Sequence, residues 1–200
     1  GGHNIKSIWG DALMKHISFV FQDIFMFNDT VIENIRMGDT SISEEKVIEI
    51  AKQAQADEFI RKLPNGYHTI IGPTGVHLSG GEQQRIAIAR ALAKDATVIV
   101  LDEATSYADT ENEDKIQKAL NALLKGKTVI VIAHRLSTIK NANQILYINK
   151  GKIMESGTHE QLIEKDGLYK RMWDLHMDAA NWGIEALSDS PEEKEKREAS

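Results

Sequence analysis

Apolar positions recur at two periods along this chain. Val98-Ile99-Val100-Leu101 and Val129-Ile130-Val131-Ile132 are short unbroken runs, largely β-branched, and predict strands buried on both faces, as in a parallel sheet. Phe19-Val20-Phe21 predicts a third short strand, and Gly1 to Lys15 reads as part of a β-rich region. Elsewhere the period is helical. Val47, Ile50, Ala51 and Ala54 share one face over Ser41 to Ala56, with Ser41 or Ser43 as cap and Glu44 and Glu45 in the first turn. A short helix over Asp57 to Lys62 stops at the turn Pro64-Asn65-Gly66. Ile86, Ile88, Ala89 and Leu92 give a helix after Ser79 one buried side. Ile116, Leu120, Leu123 and Leu124 do the same for Glu111 to Leu124, which Gly126 ends. Ile145 to Ile148 and Lys152 to Glu155, joined by Asn149-Lys150-Gly151, predict a hairpin. Thr158 and Gln161 form a capping box, and Leu168, Met172 and Leu175 predict a helix over Tyr169 to Asn181.

Candidate chemistry gathers between Leu78 and Asp109. Ser79 and Glu82 have the S-x-x-E spacing of a capping box. The helix they open begins with Gly80 and Gly81, so unpaired backbone N–H groups can come close to an anion. Asp102 and Glu103 follow the Val98 strand at its carboxyl end, where open α/β sheets bind their ligands. A phosphate-binding turn, a buried strand and an acidic pair together indicate nucleotide chemistry.

Composition narrows this further. Two hundred residues, 42% of them apolar, suffice for one core. A net charge of −6 without a basic stripe argues against a nucleic-acid partner. The absence of cysteine suits a reducing compartment. No apolar run reaches the roughly 18 residues that span a bilayer, and the first residues carry no signal-peptide pattern.

LSGGEQQR resembles the signature motif of ATP-binding cassette (ABC) ATPases, VIVLDEATS their Walker B strand, and SYAD their D-loop. VFQDIFMFNDTVIENI resembles the Q-loop region of ABC exporters, and Ala133-His134-Arg135 their switch. The resemblance runs to about Asn181. It implies a partial P-loop (RecA-like) parallel α/β sheet flanked by helices, with an inserted α-helical signature subdomain. Residues 1–27 would be a sheet segment with the Q-loop, and 28–93 the helical subdomain and signature helix. Residues 94–181 would carry Walker B, D-loop and switch, and 182–200, rich in charge, would be a disordered tail.

The implied mechanism pairs two such domains head to tail, as homo- or heterodimer, with ATP between them. Asp102 would hold Mg2+, approached also by Gln22, and Glu103 would deprotonate the attacking water. His134 would stabilise charge on the γ-phosphate. Ser79, Gly80, Gly81 and Glu82 would close on the partner's ATP, and Asp109 would cross the interface. Gln22 would report nucleotide state to a transmembrane domain, whose coupling helix would touch the segment of Phe25, Met26 and Phe27. Pro73-Thr74 departs from the charged lead-in that exporters carry before the signature.

The phosphate cradle G-x-x-x-x-G-K-[ST] occurs nowhere in the 200 residues. Gly126-Lys127-Thr128 is a decoy, since position 121 is Asn121 and the triplet precedes a strand instead of following one. The expectation is therefore the C-terminal part of an exporter's ATPase domain, with weak or no ATP binding alone. It would be soluble in the cytoplasm by itself and lie at the cytoplasmic face of the plasma membrane in a full transporter. A sheet without its P-loop strand would also leave an apolar edge and face open. Two alternatives stand beside this: a non-catalytic module offering only its signature face, and the C-terminal lobe of an SMC-type chromosome-maintenance ATPase.

Overall fold

The computed structural model describes residue 2 and residues 4–102, 110–133 and 136–177. In chain order the elements are α1 (Gly10–Met14), β1 (Ile17–Val20), β2 (Asp29–Thr30), α2 (Val31–Arg36), α3 (Glu44–Gln53), α4 (Asp57–Ile60), β3 (Ile70–Ile71) and α5 (Gly80–Lys94). There follow β4 (Val98–Asp102), α6 (Thr110–Leu124), β5 (Thr128–Ile132), β6 (Ile145–Asn149), β7 (Lys152–Gly157) and α7 (His159–Glu164). A last helix, α8, covers 168–177. The chain divides into two compact units, Gly1–Ile132 and Ala133–Ser200.

In the first unit β1, β4 and β5 form a parallel sheet in that order. The register sets Val20 beside Leu101, and Leu101 beside Val131. Parallel neighbours need long crossovers, and α5 and α6 precede β4 and β5 in that role. Among the described residues one face of the sheet is covered along β1 and β4, and at β5 Val131 on that same face is exposed as well. Ser18, Val20, Ile99 and Leu101 are buried, whereas Phe19, Phe21, Ile130 and Ile132 are exposed, the last three by half or more. The prediction of strands buried on both faces therefore fails for β5, while the predicted open apolar face is present. Residues 1–15 also differ from expectation. They hold a 3-10 turn at Ile5–Ser7 and the helix α1, with no strand before Ile17 among the described residues.

α5 is more central than its apolar pattern suggests. Gln84, Arg85 and Ala87 are buried along with Ile86, Ile88, Ala89 and Ala91, so the helix is enclosed on nearly every side. α2 and α3 pack on it, and so do α6 and β1. Alanines at 87, 89 and 91 allow that close approach, because a helix enclosed all round cannot carry bulk on every face. α3 and α4 lie where the periodicity puts them, capped by the Ser43 hydroxyl in the case of α3. α2 was not among the expected helices, although Thr30 caps it by accepting from the Glu33 N–H.

The second unit has its own small core of Leu136, Ile145, Leu162 and Tyr169. β6 and β7 pair as the predicted hairpin, turning through Lys150 and Gly151, both at positive φ. That is the backbone a tight two-residue hairpin turn demands. Thr158 and Gln161 make both bonds of the predicted capping box. α8 buries Tyr169 and half-buries Trp173, and leaves Leu168, Met172 and Leu175 facing solvent. Its buried side thus lies one residue on from the predicted stripe. The reason is an aromatic cluster: the His159 and Trp173 ring centroids lie 4.4 Å apart, and His159 Nδ1 shares a hydrogen bond with the Tyr169 hydroxyl at 2.9 Å.

Candidate functional site

The helix start at Ser79 takes the form the sequence predicts. The Ser79 N–H and hydroxyl donate to one Glu82 carboxylate oxygen at 2.8 and 2.9 Å, and the Glu82 N–H donates back to the Ser79 oxygen at 3.4 Å. Two free donors remain. The N–H groups of Gly80 and Gly81 have no acceptor among the described residues, and they stand at the positive end of a 15-residue helix. This fits a phosphate oxygen. The Glu82 carboxylate, held back on its own cap, is engaged by Ser79 instead of projecting freely.

The loop that leads into this turn is pressed against the segment after β1. Gly72 has φ +109, and a Cβ there would lie 2.6 Å from the Phe27 carbonyl oxygen. Only glycine tolerates both conditions. Thr74, the departure from the exporter pattern, donates its N–H and hydroxyl to the Asn28 side-chain oxygen. At this departure Thr74 ties the loop to Asn28.

Gln22 and Asp102 come to the same edge of the sheet. Val20 pairs with Leu101, so Gln22 lies two residues beyond β1 and Asp102 at the last position of β4, both at the strands' carboxyl ends. Gln22 is exposed and without a hydrogen bond among the described residues. Asp102 is half-buried opposite Ile132. The described residues hold no cluster of three or more His, Cys, Asp or Glu fit to surround a metal ion. Asp102 could supply one ligand to Mg2+, the rest coming from phosphate, water and Gln22. Glu103, Asp109 and His134 lie outside the described residues, as do Trp182 and the charged tail. No hydrogen bond or ion pair joins the Ser79–Glu82 cap to Gln22 or Asp102 among the described residues.

A cleft of about 760 Å³ opens beside the Gln22 segment. Phe19, Phe21, Phe25 and Phe27 form much of its wall, with Lys15, Arg36 and Lys94 around them. Beneath it Arg90, from α5, donates to the Phe25 carbonyl, the Asn34 carbonyl and the Asn34 side-chain oxygen. Neither Arg90 nor Asn34 was singled out from sequence. A signal existed for Asn34: it stands between Ile32 and Ile35 on a core-facing turn, and a polar residue there must find internal partners.

Comparison with known proteins gives the class. The ABC transporter family model matches residues 1–106. The chain is 49% identical over 172 residues to an ATP-dependent lipid A-core flippase of Legionella pneumophila, covering 86% of this chain and 29% of that protein. It is 48% identical over 175 residues to ABC transporter B family member 14 of Arabidopsis thaliana, covering 87% of this chain and 14% of that one. A solved structure of a bacterial Atm1-family ABC exporter with ATP bound superposes with a TM-score of 0.76 at 42% identity, over 86% of this chain and 30% of its own. The fold is thus that of part of an exporter-type ABC nucleotide-binding domain. This chain belongs to the ABC transporter family, and it spans less than a third of the length of these relatives. Among the described residues no helix is long and apolar enough to cross a membrane.

Proposed function

We propose that this chain is the signature-bearing part of an exporter ATPase, coupling ATP binding and hydrolysis to transport across a membrane. The observation that carries the reading is the capped start of α5, where the Gly80 and Gly81 amides have no acceptor among the described residues. ATP with Mg2+ supplies a γ-phosphoryl group for transfer to water. Gly80 and Gly81 donate to the γ-phosphate held by a second, head-to-tail domain, and the Ser79–Glu82 cap fixes their direction. Asp102 would hold the ion, and Gln22 would approach it from the carboxyl end of β1. Glu103 takes the proton of the attacking water, His134 stabilises the oxyanion, and Asp109 contacts the partner domain.

The phenylalanine-walled cleft supports a second partner, a coupling helix of a transmembrane domain. Its apolar wall would take the helix's apolar face, and the mixed rim of Lys15, Lys94, Asp23 and Asp39 would meet polar residues of that helix. Gln22, on the chain between β1 and Phe25, connects the cleft to the sheet edge.

Titration calorimetry with Mg-ATP tests the reading. The 200-residue chain has no G-x-x-x-x-G-K-[ST] cradle, and one helix terminus does not replace it, so no micromolar binding is expected. Fusing such a segment upstream should restore binding, together with hydrolysis that Glu103→Gln abolishes. Micromolar binding by the 200 residues alone would overturn the assignment. Binding restored without hydrolysis would favour a non-catalytic module.

A further inference from the structure

Residues 21–28 run from the end of β1 to β2 without helix or strand, yet they form the wall of the cleft. Side chains fix their path. Asn34, fully buried, donates to the carbonyls of Phe27, Asp29 and Thr30 and accepts from the Phe27 N–H at 2.9 Å. Arg90 completes the arrangement from the other side. Its Nε donates to the Asn34 carbonyl at 2.7 Å. One terminal nitrogen donates to the Phe25 carbonyl at 2.6 Å, and the other to the Asn34 Oδ1 at 2.6 Å. The Met26 sulfur lies 3.6 Å from that second nitrogen, and the guanidinium sits 5.4 Å from the centroid of the Phe27 ring. Every element of this contact on the cleft side belongs to residues 25–27 or to Asn34.

We infer that Arg90 is a positioning residue that makes the cleft wall and α5 a single mechanical piece. A segment seated in the cleft that displaces Phe25 and Phe27 thereby loads α5 through Arg90, and α5 carries the displacement to the Gly80 and Gly81 amides. The helix is suited to this. It is continuous from Gly80 to Lys94, and Arg90 lies about 15 Å along it from Gly80 at 1.5 Å per residue. Three charge-assisted hydrogen bonds in the plane of one guanidinium fix orientation as well as distance, which a lysine ammonium does not do. Burial pushes the Arg90 guanidinium down to about 10, so it stays charged at neutral pH. The inference rests on reading the α5 start as the phosphate contact and the cleft as the partner's seat.

Hydrogen exchange on the 200-residue chain, followed by mass spectrometry, tests the linkage without nucleotide or membrane partner. Arg90→Ala should speed exchange at 23–30 by about tenfold or more, the expected effect of losing hydrogen bonds to a charged group. Residues 82–84, the first bonded amides of α5, should follow in step, while 44–60 and 145–157 stay within about twofold. Methylguanidinium should restore protection in Arg90→Ala, and Arg90→Lys should not match wild type. Phe27→Leu leaves Arg90 and the core in place and should speed exchange at 23–30 alone, by a few-fold. Unchanged exchange at 23–30 in Arg90→Ala, a rise at 23–30 with none at 82–84, or no effect of Phe27→Leu would overturn the inference. So would an equal rise everywhere with no rescue by methylguanidinium, since Arg90 would then only fill space. None of these outcomes touches the phosphate reading, and micromolar Mg-ATP binding by the chain would overturn that reading without altering the exchange pattern.

Discussion

Replacing Ser79 with Ala separates the structural work of the capping box from its proposed chemical work. The hydroxyl donates to Glu82 at 2.9 Å and accepts from the Glu82 N–H at 3.4 Å. The second bond is long, so the hydroxyl's contribution belongs near the middle of the N-cap range, about 1 kcal/mol. The Ser79 N–H bond to Glu82, at 2.8 Å, survives the change. Glu82→Ala removes both bonds that the carboxylate accepts and its interaction with the helix dipole, for about 1 kcal/mol as well. The two residues share one bond directly, so the double variant should fall short of additivity by about 0.5 kcal/mol or more. Urea unfolding followed by far-UV circular dichroism measures this. With an m-value of about 3 kcal/mol/M, Ser79→Ala should lower the midpoint by about 0.3 M. Strict additivity in the cycle would refute the direct bond between the Ser79 hydroxyl and the Glu82 carboxylate. A loss from Ser79→Ala above about 2 kcal/mol would mean the hydroxyl has a partner other than Glu82.

Two further outcomes follow from particular contacts. Gly72→Ala should lower stability by about 1–3 kcal/mol, because the φ of +109 and the Phe27 carbonyl at 2.6 Å both oppose a Cβ; a thermal midpoint equal to wild type would refute this. Glu155 accepts the N–H groups of Leu168 and Tyr169 at 2.7 and 3.0 Å, and these bonds hold its carboxyl below the usual range. A carboxyl depressed in the folded state stabilises above its unfolded value and ceases to as pH falls through its folded one. Amide protection across 168–177 should therefore drop as pH falls below the ordinary carboxylate range, and Glu155→Gln should remove that step from the profile.

The parts of the fold set by local rules were legible in the sequence. The Ser79 and Thr158 boxes, the Asn149-Lys150-Gly151 turn and the apolar face of α6 depend on neighbours three or four residues away. What escaped depends on distant partners. α5 shows an apolar side in its sequence, but its enclosure comes from α2, α3, α6 and β1, which no pattern within α5 encodes. Arg90 and Asn34 are 56 residues apart, and nothing local marks them as a pair. α8 turned because an aromatic cluster of Tyr169 and Trp173 with His159 outweighed a stripe of leucine and methionine. Of the candidate site, the cap and the placement of Gln22 and Asp102 at one sheet edge are described, whereas the roles of Glu103 and His134 rest on the family's pattern.

The half-exposed Ile130 and Ile132 on β5, with Phe21 across the sheet, give this chain an unusual temperature sense. Contact between such surfaces releases structured water, so it strengthens on warming and weakens in the cold. The net charge of −6 opposes self-contact by a repulsion that salt screens. The chain should thus stay dispersed at low temperature and low ionic strength and cloud as either rises, with sulfate acting more strongly than chloride.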